Sequence, residues 1–157
     1  MNEFMKVANE LAESNLKTNA GGPFGACVVK DGKIIGKGSN QVLSDNDPTA
    51  HAEIIAIRDA CKNVNSYDLT GCKLYTSCFP CPMCLSALIW SNIKLVYYGN
   101  TKKDADAIGF RDDYIYNYII DGLYNEENQI LNLKCIDRER TIVTFNKYTK
   151  KDDKEIY

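Results

Sequence analysis

Three cysteines spaced three apart, Cys78, Cys81 and Cys84 in the stretch CFPCPMC, and the only histidine of the 157 residues, His51, are the groups in this sequence best suited to chemistry. Thiolate sulfur and neutral imidazole are preferred zinc ligands. A structural zinc is closed by four of them, whereas a catalytic one keeps three protein ligands and a water. The same residues therefore describe two different sites: a closed one using Cys78, Cys81, Cys84 and His51, or an open one in which Cys78 is left over. C-x2-C-x2-C also matches part of a ferredoxin run, but that cluster needs a fourth cysteine at suitable spacing, and after Cys84 the next is Cys135.

Local structure favours the open arrangement. Pro82 follows Cys81 and is favoured at the first position of a helix, so Cys81 becomes the cap and Cys84 lies one turn on, on the same side. Both thiols then sit near the positive end of the helix dipole, which lowers their pKa. Cys78 ends a strand, on the face it shares with Leu74 and Thr76, where a core thiol is the natural reading. Glu53, two residues after His51 at another helix start, adds a carboxylate beside a metal-bound water. His51-Ala52-Glu53 with Pro80-Cys81-Pro82-Met83-Cys84 downstream is the H-x-E…P-C-x-x-C signature of zinc-dependent nucleobase deaminases, in which the Glu is general acid and base and not a ligand. The competing reading is a structural zinc in a binding module, with Glu53 incidental.

The elements that must position these groups are legible from periodicity. Residues 2–17 place Phe4, Met5, Ala8, Leu11, Ala12 and Leu16 at helical spacing, ending before Gly21-Gly22. FGACVVK and KIIGKGS flank Asp31-Gly32, a hairpin signal. A helix opens at Asp47-Pro48-Thr49 and runs through HAEIIAIRDACK; CKLYTSC is a strand; the helix from Pro82 ends near Ser91-Asn92. IKLVYYG follows as a short, central strand, DDYIYNYII as a helix, QILNLKCI as an alternating strand and RERTIVTFNKYTKK as a last helix. The order αββαβαβαβα predicts a single α/β domain over 1–157, three layers (αβα) around a five-stranded mixed sheet.

Composition bounds the partners. At 17.7 kDa the chain is long enough for a self-supporting core, and a net charge of −2 with pI near 5.4 gives no sign of a general polyanion binder. The N-terminal stretch mixes Glu and Lys into an apolar pattern and has no signal-peptide or membrane-span run, so a cytoplasmic protein is expected. Seven cysteines, an odd number, fit a reducing compartment, with Cys27, Cys61, Cys72 and Cys135 read as core thiols.

The chain resembles the guanine deaminases of the cytidine/deoxycytidylate deaminase superfamily. The resemblance is carried by GGPFGACVVKDGKIIGKGSN, NDPTAHAEIIAIRDAC, LYTSCFPCPMCLSALIW, AIGFRDDYIY and the terminal KEIY, and is weakest from about 121 to 150. It implies hydrolysis of guanine to xanthine and ammonia, with His51, Cys81 and Cys84 holding Zn2+ and Glu53 shuttling the proton. It also implies a second proton carrier in the G-F-x-D segment, Asp112, with Asp113 beside it as the alternative. Asn40 matches a residue that hydrogen-bonds the purine edge, Phe24 and Trp90 match pocket aromatics, and Tyr157 ends a tail that closes an active site in a domain-swapped homodimer, the segment from about 137 to 157 being exchanged. Another aminopurine, a nucleoside or tRNA adenosine are alternative substrates, although no basic patch supports tRNA. The sequence departs at one position: similar chains carry Glu before the Pro-Cys, and Phe79 stands here.

Overall fold

The computed structural model describes residues 2–122, 130–131 and 133–155. The chain divides into two compact units, Met1–Tyr116 and Asn117–Tyr157. In the first, helix α1 (Glu3–Thr18) is capped by the Asn2 side chain, which accepts from the Phe4 and Met5 amides, and ends on Asn19 in the left-handed conformation. Strands β1 (Gly25–Lys30) and β2 (Lys33–Ser39) form the expected hairpin. Its turn residues Asp31 and Gly32 both have positive φ, the requirement of the turn whose twist matches the flanking strands. After a single turn, α2 (Val42–Asp45), come α3 (Ala52–Val64), β3 (Lys73–Cys78), α4 (Pro82–Trp90), β4 (Leu95–Asn100), α5 (Lys102–Ala107) and α6 (Asp113–Asn117).

The sheet order is β2-β1-β3-β4, with β1 antiparallel to β2 and β3, and β3 parallel to β4. Alternation along β1 and β3 separates two cores. Ala26, Val28 and Leu74 face α3 and α4 and pack with Ala52, Ala56, Ile57, Ala60 and Leu88. Cys27, Val29 and Tyr75 face the other way and pack with Phe4, Met5 and Val7 of α1. This is the predicted three-layer arrangement, but with four strands among the described residues in place of five. Most of the stretch expected to supply the fifth is described, and residues 130–131 and 133–136 lie in no strand and are exposed; Gln129 and Asn132 lie outside the described residues. Among the described residues β4, expected to be central, is therefore an edge strand, and its side chains are mostly exposed. Alternating apolar residues signal a face that can be buried and carry no instruction about which edge they join.

In the second unit, a π turn (Tyr118–Gly122) follows α6, and α7 (Arg138–Thr149) fulfils the expected last helix. No helix among the described residues is long and apolar enough to cross a membrane.

One packing feature positions the chemistry directly. A Cβ on Gly38 of β2 would run into the Ala52 carbonyl and lie 2.6 Å from the Ala56 amide, so α3 rests its first turn on bare backbone. Gly38→Val should cost about 2 kcal/mol or more in a urea-unfolding measurement, as overpacked cores do. Because the displaced helix begins with His51 and Glu53, zinc content of the purified variant should fall as well.

Candidate active site

Two helix N-termini meet at the cluster. His51 caps α3 and Cys81 caps α4, both in extended backbone, and Cys84 lies in the first turn of α4. β3 delivers the second helix through Cys78-Phe79-Pro80, so its parallel crossover fixes where the thiols emerge. The His51 Nδ1 lies 3.5 Å from the Cys81 sulfur and 3.7 Å from the Cys84 sulfur. These ligand atoms all lie within 4.8 Å of one another. A tetrahedral zinc with Zn–S near 2.3 Å and Zn–N near 2.0–2.1 Å needs ligand separations of roughly 3.5–3.8 Å. The residues therefore fit that ion with little rearrangement.

Cys78 does not join them. Its thiol donates toward the Thr101 carbonyl at 3.7 Å, and burial pushes its pKa up to about 11, so it stays protonated. It also borders a cavity of about 310 Å3 with Asn9, Glu13, Phe24 and Asp104. Cys81 is the opposite case: the Cys84 side chain and the His51 ring beside its sulfur lower its pKa, which favours the thiolate that a metal binds. Cys78→Ser should accordingly keep full zinc occupancy and substantial activity. Zinc loss on metal analysis of that variant would mean a four-ligand site.

Glu53 is buried, 6% exposed, on the first turn of α3. Its Oε1 accepts from the Thr76 hydroxyl at 3.1 Å and its Oε2 from the Cys84 thiol at 3.5 Å. Burial raises its pKa. A carboxylate so held, beside the ligands without being one of them, is oriented for proton transfer.

Of the remaining expected residues, Asp112 is half-buried and close enough to Cys81 for that charge to raise its pKa, after burial itself, whereas Asp113 is exposed at the start of α6. Asn40 is buried at the end of β2, where its amide oxygen accepts from the Val42 amide at 3.2 Å and its backbone N–H donates to Phe24. The amide oxygen is thus already engaged as a local turn cap. Phe24 meets Phe110 edge to face at 4.9 Å. Trp90 is 69% exposed at the far end of α4. Six residues past Cys84, it lies roughly 9 Å further along the helix axis. Tyr157 lies outside the described residues. Phe79 turns from the cluster and packs edge to face on Tyr98 at 5.0 Å.

Two contributors escaped the sequence reading. Asn15, buried on α1, donates its amide to the Gly22 and Asn40 carbonyls at 2.8 and 2.7 Å, tying the Gly-Gly loop to the end of β2. A polar residue on the inward face, in step with Ala8 and Ala12, was the available signal. Phe110 is the second, visible only as the aromatic two positions before Asp112.

Residues 1–100 match the family described as the cytidine and deoxycytidylate deaminase zinc-binding region. The guanine deaminase of Bacillus subtilis is 53% identical over 116 residues, 74% of each chain. A tRNA-specific adenosine deaminase of Haemophilus influenzae is 35% identical over 157 residues, 98% of this chain and 89% of the relative. The X-ray structure of the guanine deaminase from Bacillus subtilis superposes with a TM-score of 0.92 at 43% identity, covering 100% of this chain and 99% of that one.

Proposed function

We infer that this chain, which belongs to the cytidine and deoxycytidylate deaminase zinc-binding family, is a zinc-dependent aminohydrolase that converts guanine and water to xanthine and ammonia. The observation that carries the reading is the buried Glu53, oriented by Thr76 beside the His51–Cys81–Cys84 triad. In this reading His51, Cys81 and Cys84 hold the zinc. When bound, the metal acts as a Lewis acid that brings the pKa of a water near neutrality. Glu53 accepts the proton of the attacking water and passes it to the ring nitrogen next to the amino-bearing carbon. A C–O bond forms at that carbon and the C–N bond breaks. Asp112, on the Cys81 side, protonates the departing nitrogen, which leaves as ammonia, and is restored by the proton that the new hydroxyl gives up as it becomes the carbonyl of xanthine. Asn40 meets the purine edge and Phe24 covers one face of the ring.

Residues 1–157 act as one deaminase domain in a cytoplasmic homodimer, the segment from about 137 exchanged between subunits so that Tyr157 closes the partner's site. The test is an ammonia-release assay of the zinc-loaded protein on guanine, other aminopurines, guanosine and tRNA. Guanine should be turned over fastest, with xanthine as product. The 35% identity to a tRNA adenosine deaminase across nearly the whole chain makes the tRNA arm the one that could displace this reading.

A further inference from the structure

The turn that follows β2 is held from two sides. The peptide joining Asn40 to Gln41 donates its N–H to the Ala50 carbonyl at 2.9 Å, one residue before the ligand His51, and its own carbonyl accepts from the Asn15 side chain at 2.7 Å. One end of that peptide plane is thereby registered to the metal cluster and the other to α1. The Asn15 amide also donates to the Gly22 carbonyl at 2.8 Å, and the Ala20 carbonyl accepts from the Leu43 and Ser44 amides at 3.0 Å each, so the loop before β1 is laced to the same turn. Asn15 is buried, and a buried amide that holds two carbonyls stiffens what it joins.

What this frame orients is the Asn40 side chain. Its oxygen accepts from the Val42 amide at 3.2 Å, which settles which way round the amide lies. Its nitrogen donates to nothing among the described residues. No fully buried side-chain nitrogen or oxygen among them lacks a partner, so this nitrogen lies where a ligand can reach it. The side chain rests on Gly21, where a Cβ would lie 2.9 Å from its amide carbon and closer still to its oxygen. We propose that Asn15 is a positioning residue for the substrate: by holding the Asn40 peptide against α1, it aims the two N–H donors of the Asn40 amide at an acceptor on the purine edge. Asn15 touches no substrate and acts through Asn40. Its effect falls on binding and not on the chemical step, because Asn40 meets the purine edge while Glu53 moves the proton.

This role rests on the reading that Asn40 meets the purine edge. It is tested with zinc-loaded Asn15→Ala, Asn40→Ala and the double variant, with zinc content and melting temperature measured alongside steady-state kinetics on guanine. Asn15→Ala should raise KM about tenfold, the scale of one well-aligned hydrogen bond, with kcat within about twofold and zinc content unchanged. In the Asn40→Ala background the same substitution should change KM by less than about twofold. Its effect on melting temperature should be the same in both backgrounds, since its bond at residue 40 goes to the backbone carbonyl and survives there. An asparagine that served stability alone would not show a KM effect that depends on the Asn40 side chain. Multiplying KM effects in the double variant, a loss of kcat or zinc with KM unchanged, or a wild-type KM in Asn15→Ala would overturn the proposal while leaving Asn40 in place. A wild-type KM in Asn40→Ala would overturn both. If Asn15→Ala does not fold with zinc, Asn15→Ser, with one hydroxyl donor in its place, carries the same comparison; failure of that variant too would make Asn15 a residue of the fold and overturn its role toward substrate.

Discussion

Glu53→Gln should lower kcat/KM for guanine by about 10²- to 10⁴-fold, the range that a positioned general acid–base supplies, while zinc content and melting temperature stay at their wild-type values. The substitution is chosen for shape. Gln keeps an amide oxygen where Oε1 accepts from Thr76, so the 3.1 Å hydrogen bond that orients the side chain survives. What it removes is the capacity to take a proton. Folding should not suffer, because a carboxylate whose pKa is raised by burial is not contributing its charge to stability at that position. His51, Cys81 and Cys84 are untouched, so metal retention is expected. The result separates the two classes of protein that the cluster allows: a structural-zinc module in which Glu53 is incidental would lose nothing measurable. Undiminished ammonia release from the Gln variant, with guanine saturating, would defeat the catalytic reading.

The chemistry was more legible in the sequence than the sheet edge. His51-Ala52-Glu53 and Pro80-Cys81-Pro82-Met83-Cys84 are local patterns, and local rules decide them: a helix start exposes N–H groups, and residues zero and three positions into it face the same way. The hairpin was equally local, set by Asp31-Gly32 and their positive φ. Placement of β4 depended instead on what lies beside it, a non-local matter that Leu95, Tyr97 and Tyr98 cannot declare. Trp90 was assigned by resemblance alone. A helix that is apolar all round offers no preferred face, so the exposure of Trp90 at its end was not legible in the sequence. Asn15 was hidden in the opposite way, a single polar residue on an otherwise apolar stripe, whose two carbonyl partners come from loops 7 and 25 residues away.

Cys84→Ala should abolish zinc binding and activity together, and lower the melting temperature by more than Cys78→Ser does. Cys84 is fully buried, in the first turn of α4, with its sulfur within reach of both His51 and Glu53. Removing it leaves two protein ligands for an ion that requires three. The loss then spreads to stability through linkage. A metal that binds only the folded chain adds RT ln(1 + [Zn2+]/Kd) to its stability, about 2.7 kcal/mol at a hundredfold excess over Kd. The wild type should therefore show a melting temperature that falls on chelation and recovers on zinc addition, whereas the Cys84→Ala protein should be indifferent to both. Cys78→Ser should behave as the wild type in this comparison, since its sulfur faces Thr101 and not the cluster. If the two cysteine variants responded alike to chelation and zinc, the distinction between a ligand and a buried neighbour at this strand end would fail. If only Cys84→Ala is blind to zinc, the site has three protein ligands and an open fourth position, which is the vacancy that hydrolysis needs.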